Sequence, residues 1–176
     1  MIVVADAGPI LHLHWIGCLP WGLPPRPIHV VEQVWTEIIQ HAPEALADPR
    51  LEREPVVELD PHLQAKFALQ SGETAAIAFA LEHSGSLLLT DDAAARRACE
   101  SVGLAAVGTI GLILEAPRSK RVSVDEALRA FEQLPNKGRL HVTPELLARG
   151  DRCPVAAKVG ARSVKSQSKK RGPSFR

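Results

Sequence analysis

Tyrosine is missing from this 176-residue chain, and only four phenylalanines and three tryptophans supply aromatic surface. A face that stacks successive nucleobases needs aromatics interleaved with bases. Trp15, Trp21 and Trp35 have no such company, so they read as core or interface residues. Cysteine is as scarce: Cys18, Cys99 and Cys153 lie far apart without a CxxC spacing, which argues against a cysteine zinc site and a disulfide framework and fits a reducing, cytoplasmic setting. The seven histidines form no HxxxH or HExxH pattern, so a histidine zinc site is not expected. His12 and His14, two residues apart, should point to different faces of a helix. The longest largely apolar run, 103–114, is interrupted by Thr109 and is too short to cross a bilayer core of ~30 Å, so no membrane span is expected. The opening MIVVADAGPI has no basic leader and meets Asp6 almost at once, unlike a signal peptide.

Acidic residues are absent beyond Asp151. Residues 155–176 carry Lys158, Arg162, Lys165, Lys169, Lys170, Arg171 and Arg176, which leaves 14 bases against 20 acids in the rest of the chain. A mildly acidic body is therefore followed by a basic tail. With few large apolar side chains, residues 153–176 cannot offset their ordering entropy by burial, and disorder is expected there. Such a tail is either a solvated end or a nucleic-acid arm acting by counterion release; composition leaves both open. The chain length suits one domain with its own core, needing neither disulfides nor a structural metal.

What is present is an alternation of short apolar runs with helical patterns. Residues 1–5 read as a strand, and Pro9 then sits in the first turn of a helix. The prolines of 20–27 predict a loop, 28–31 a strand, and Val34, Ile38 and Ile39 a helix. A short strand is expected at 56–59 and a short helix at 61–69. Thr74, Ile77, Ala78 and Leu81 recur at the spacing of a helical stripe facing the core, ended by Ser84 and Gly85. Strands at 87–89 and 104–107 and helices at 93–102, 109–114 and 124–134 complete the pattern. Strands and helices alternating at this length predict an α/β fold, a mainly parallel sheet covered by helices on both faces.

In a parallel sheet the functional crevice lies beyond the carboxyl ends of the strands. Asp6 ends the first strand there, and Asp91 and Asp92 follow the strand at 87–89. Taken singly, each acid has an ordinary role. Glu73 at a helix start gains ~0.3–1 kcal/mol from the macrodipole. Asp91 is placed to cap the next helix, Glu37 suits a solvated helix face, and Asp6 suits a turn. Gathered together they have a cost, since like charges ~5 Å apart repel by ~3 kcal/mol at an effective dielectric near 20. Arg96, four residues after Asp92, fits either a helix-surface ion pair or a phosphate contact.

The ordered set Asp6 in VVADAGPIL, Glu37 in VVEQVWTEI, Glu73 in SGETAAIAFALE and Thr90-Asp91-Asp92 in SLLLTDDAAARRA resembles the PIN-domain family of metal-dependent nucleases. VGTIGLILEA at 107–116 and the 128–147 region are similar to the C-terminal extension of an uncharacterised prokaryotic branch of PIN-like proteins, so the likeness covers roughly residues 1–150. The resemblance implies a three-layer α/β/α sandwich with a catalytic domain at 1–116, a helical extension packed on it at 117–152, and the tail. It implies a divalent-metal ribonuclease whose catalytic acids are Asp6, Glu37, Glu73 and Asp92, with Asp6, Glu73, Asp92 and a sharing Asp91 as ligands of Mg2+ or Mn2+. Thr90 would support a metal water. Arg96, Arg97, Lys120 and Arg121, with Arg118 beside them, would guide the RNA. Hard divalent ions prefer such oxygen ligands. The products implied are a 5′-phosphate and a 3′-hydroxyl. Many relatives are toxins of toxin–antitoxin pairs, so an antitoxin protein and a homodimer are expected partners.

Two departures stand out. PIN-like proteins usually carry a Thr or Ser soon after the first Asp, where Ala7 and Gly8 stand here, and the AKRRG-like stretch of the extension is altered at Ala116-Pro117-Arg118-Ser119-Lys120. The first of these motivates an alternative, a catalytically silent PIN-like module that binds RNA or protein. A phosphoacceptor receiver fits less well, because its acidic pair follows the first strand, and a phosphoaspartyl phosphatase needs DxDx[TV], which ADAGP lacks.

Overall fold

The computed structural model describes residues 1–138 and Leu140. The tail and the far part of the extension, including Leu147, lie outside the described residues. Three short apolar runs make the middle of the fold: β1 (Val3–Ala5), β2 (Ile28–Val31) and β4 (Leu87–Leu89). With β3 (Leu51–Glu54) and β5 (Ala105–Val107) they form one parallel sheet in the order β3-β2-β1-β4-β5. β1 is central and buried throughout, as a strand covered on both faces should be. Its register with β4 pairs Val3 with Leu87, Val4 with Leu88 and Ala5 with Leu89, so the two strands end side by side.

Around the sheet lie α1 (Ala7–Trp15), α2 (Leu19–Gly22), α3 (Glu32–His41), α4 (Pro61–Phe67), α5 (Ser71–Glu82), α6 (Ala93–Ser101), α7 (Thr109–Arg118) and α8 (Val124–Gln133). This is the three-layer α/β/α arrangement, with one core running from Val4, Ile28 and Leu88 on the strands to Ile10, Ile77 and Ile113 on the helices. Leu128 and Phe131 of α8 join that same core, so α8 packs on the sheet-bearing part. α8 starts with a capping box, Ser123 and Glu126 each bonding the other's backbone N–H. None of the described helices is long and apolar enough to cross a membrane.

Three local expectations fail for physical reasons. The third strand lies at Leu51–Glu54, not at 56–59, where Val56 is 71 % exposed. Being an edge strand with little of its surface buried, it is written in charge and held by cross-strand pairs: His29 with Glu54, and Arg53 with Glu32 of α3. The proline-rich 20–27 stretch contains α2, because Pro20 falls in the first turn where its missing N–H costs nothing. In α5 the buried face runs through Thr74, Ile77 and Ala80, with the small residues Gly72, Ala75 and Ala76 buried beside it. Leu81 is exposed, since small residues let the helix approach its neighbours more closely than a leucine stripe allows.

Candidate active site

The ends of β1 and β4 position the acids. The backbone N–H of Asp6 bonds the carbonyl of Leu89 at 2.9 Å, which ties the first acid to the strand leading to Asp91 and Asp92. Because β1 connects onward to β2 on one side while β4 flanks it on the other, this is the switch point of the sheet, where a crevice opens. Asp6 is 6 % exposed and caps α1, its Oδ1 accepting the Ala7 N–H at 2.8 Å and its Oδ2 the Thr90 hydroxyl at 3.2 Å. Burial pushes its carboxyl up to about 7; the Ala7 N–H opposes this, while Glu73 and Glu37 raise it further. That hydroxyl bridges two acids, since Thr90 Oγ1 also accepts the N–H of Asp92 at 3.3 Å.

Glu73 stands in the first turn of α5, where Oε2 accepts the Gln70 N–H at 2.8 Å in a capping box. Burial raises its carboxyl above the ordinary range, and the charges of Asp92 and Glu37 add to the effect. Glu37 comes from α3, facing the start of α5 across Gly72. Asp6, Glu37, Glu73, Asp91 and Asp92 all line one cavity of about 280 Å3, together with His12 and Gln70. A larger cavity of about 700 Å3 opens beside Leu19 and Arg50, but its acids are paired, Asp48 with Arg50 and Glu44 with His14.

Of the two adjacent carboxylates, the one that caps the following helix is not the one expected. Asp92, not Asp91, is the cap of α6, its Oδ1 accepting the Ala95 N–H at 2.7 Å. Asp91 turns the other way: Oδ1 accepts the Thr109 N–H at 2.7 Å, and Oδ2 accepts the Thr109 hydroxyl and lies 2.7 Å from His12 Nδ1. Gly108 makes room for it, since a β-carbon there would fall 2.5 Å from Asp91 Oδ1. With three partners already, Asp91 serves the frame of the cavity.

The bases separate as well. Arg96 is half-buried, with Nη1 3.4 Å from the Thr90 carbonyl at the rim of the acids. Arg97, Arg118 and Lys120 are exposed, and Lys120 has a left-handed backbone with φ of 57°. Arg121 is half-buried, and its Nη1 donates to the carbonyls of Trp21, Gly22 and Leu23, satisfying the end of α2. The residue that sequence reasoning passed over is His12. Its signal was faint, an i, i+4 relation to Gly8 on one helix face just after the strand-ending acid.

Oxygen donors of this kind suit a hard divalent ion. No three of the cavity acids, among the described residues, bring ligand atoms within 4.8 Å of one another; His29, Glu52 and Glu54 at the β2–β3 edge do. Mg2+ uses only one or two carboxylates directly while keeping several waters, so it does not require three of them in mutual contact. The edge cluster is explained by its own pairing, His29 Nδ1 lying 2.7 Å from Glu54 Oε1. The cavity acids therefore fit a hydrated divalent ion.

A family model described as a PIN domain matches residues 2–150. No curated protein and no solved structure matches the chain.

Proposed function

Because the chain belongs to the PIN-domain family, we propose that it is a ribonuclease that hydrolyses phosphodiester bonds with Mg2+ or Mn2+. PIN domains are typically nucleases and usually bind divalent metals. The observation that carries the reading is Asp6, a carboxyl at the switch point of the sheet, 6 % exposed and pushed up to about 7 by burial first and by Glu73 and Glu37 in addition. Acids held together against their own repulsion call for a cation.

In this reading Asp6, Glu73 and Asp92 hold the ion, and Glu37 supports them from α3. The ion, when bound, lowers the pKa of a water for attack on phosphorus and stabilises the leaving oxygen. Thr90 orients the Asp6 carboxylate through its hydroxyl, which also accepts the backbone N–H of Asp92. Arg96, Arg97 and Lys120 draw the polyanion toward a centre that would otherwise repel it, and the basic tail adds counterion release. The products carry a 5′-phosphate and a 3′-hydroxyl. The protein acts as the toxin of a toxin–antitoxin pair, held inactive by a small antitoxin, and functions in the cytoplasm as a homodimer.

The test is cleavage of a panel of structured and unstructured RNAs with Mn2+ by the wild type and by Asp6→Asn and Asp92→Asn. Loss of cleavage in both variants supports the reading, whereas cleavage indifferent to both comes from a contaminant and overturns it. A silent RNA- or protein-binding module is the second reading, favoured by Ala7 and Gly8, which offer the cavity no hydroxyl. It predicts no cleavage and no rise in melting temperature with Mn2+.

A further inference from the structure

Among the acids of the cavity sits one ring nitrogen with a fixed hydrogen. His12 Nδ1 lies 2.7 Å from Asp91 Oδ2, with the two side chains 15 % and 10 % exposed. Asp91 is itself anchored, taking both the backbone N–H and the hydroxyl of Thr109. An ionised carboxylate only accepts hydrogen bonds. Nδ1 must therefore carry the hydrogen, and the neutral ring keeps its lone pair on Nε2. Nε2 bonds no described residue, and the His12 side chain reaches the cavity surface with 15 % of its area exposed. His12 lines the same cavity as Asp6, Glu73 and Asp92. Gly8 leaves the wall free at this point, since even a β-carbon there would stand 3.7 Å from His12 Cε1.

A nucleic-acid backbone presents acceptors along its whole length, and the ribose 2′-hydroxyl is its one donor. A carboxylate meeting that hydroxyl would also repel the neighbouring phosphates. A neutral imidazole lone pair accepts the hydrogen without that repulsion. We propose that Nε2 of His12 accepts a hydrogen bond from the 2′-hydroxyl next to the scissile phosphate, with Asp91 and Thr109 fixing the tautomer, so that this pair distinguishes RNA from DNA. The inference rests on the nuclease reading above and assigns the recognition of ribose to a residue outside the acid set.

The test uses one oligonucleotide sequence in three forms: all ribose, a single 2′-deoxy at the cleaved nucleotide, and a single 2′-O-methyl there. With Mn2+, the wild type cuts the ribose form about tenfold faster than the 2′-deoxy form, the scale of one lost hydrogen bond. His12→Ala brings the ratio of the ribose rate to the 2′-deoxy rate from about ten down to about one. Asp91→Asn does the same by another route. The Thr109 N–H holds the amide oxygen at the Oδ1 position, so the amide NH2 faces Nδ1 and the ring hydrogen moves to Nε2. Nitrogen-15 NMR of the metal-free protein reads that exchange directly, with Nδ1–H in the wild type and Nε2–H in the variant.

Equal slowing of all three substrates by His12→Ala, a wild type indifferent to the 2′ group, or Nε2–H in the wild-type spectrum overturns the proposal. So does a 2′,3′-cyclic phosphate among the products, since the hydroxyl would then be the nucleophile. Cleavage that Asp6→Asn abolishes, with a ribose preference that His12→Ala does not alter, sinks this inference alone. Cleavage indifferent to Asp6→Asn sinks the nuclease reading, and this one with it.

Discussion

A β-carbon on Gly72 would lie 3.3 Å from Oε2 of Glu37, so the first turn of α5 meets α3 with only a hydrogen between them. That contact sets how near Glu37 comes to Glu73, one residue beyond. Gly72→Val forces the helices apart at a buried contact that also includes Val34 Cγ2. The expected loss is about 1–3 kcal/mol in a denaturant melt. A weaker rise of melting temperature with Mn2+ should accompany it, and an unchanged metal response would show that Glu37 stands apart from the ion.

Asp6 makes the metal-free protein sensitive to pH in an unusual direction. Its carboxyl goes from an ordinary value of 3.8 to about 7 on folding, so the folded state holds the extra proton between those values. Stability is therefore full below about 4 and falls as pH rises through about 7, by at most about 4 kcal/mol. Urea melts from pH 4 to 8 in EDTA should show that fall. Asp6→Asn should flatten it and melt later than the wild type at pH 8.

Metal itself should reverse the order. A divalent ion that binds the folded state alone stabilises it by about 2.7 kcal/mol at a hundred times its dissociation constant. With Mn2+ at pH 8 the wild type should overtake Asp6→Asn. Glu54→Gln, which disrupts the His29 cluster at the sheet edge, should leave the Mn2+ response intact. A response lost in Glu54→Gln and kept in Asp6→Asn would move the metal to that edge.

Two arginines should respond in opposite ways. Arg121→Ala leaves the carbonyls of Trp21 and Gly22 without their charged donor, while Arg50 still serves that of Leu23, and should cost about 1.5–3 kcal/mol of stability. It should leave the salt dependence of RNA binding alone. Arg97→Ala, on an exposed site, should change stability by under about 0.5 kcal/mol and lower the salt slope by about 0.7 for single-stranded RNA.

The central strands were legible because burial on both faces demands short unbroken apolar runs, as in Val3-Val4-Ala5 and Leu87-Leu88-Leu89. β3 was not, since an edge strand answers to its neighbour's backbone and to ion pairs, and Glu52, Arg53 and Glu54 carry no apolar signal. The acids Asp6, Glu37, Glu73 and Asp92 were readable as an ordered set. Which of Asp91 and Asp92 caps α6 was not: Thr109, 18 residues later, and His12, 79 residues earlier, settle it. The carbonyls that Arg121 bonds were hidden for the same reason, because they lie about 100 residues away.

The sheet order also bears on synthesis at the ribosome. β1 is made first, yet its partner β4 is translated only after β2 and β3. A nascent chain that has exposed Asp6, Glu37 and Glu73 still lacks the strand that brings the fourth acid beside them. Until Leu87-Leu88-Leu89 emerges and docks, the growing polypeptide has no assembled centre.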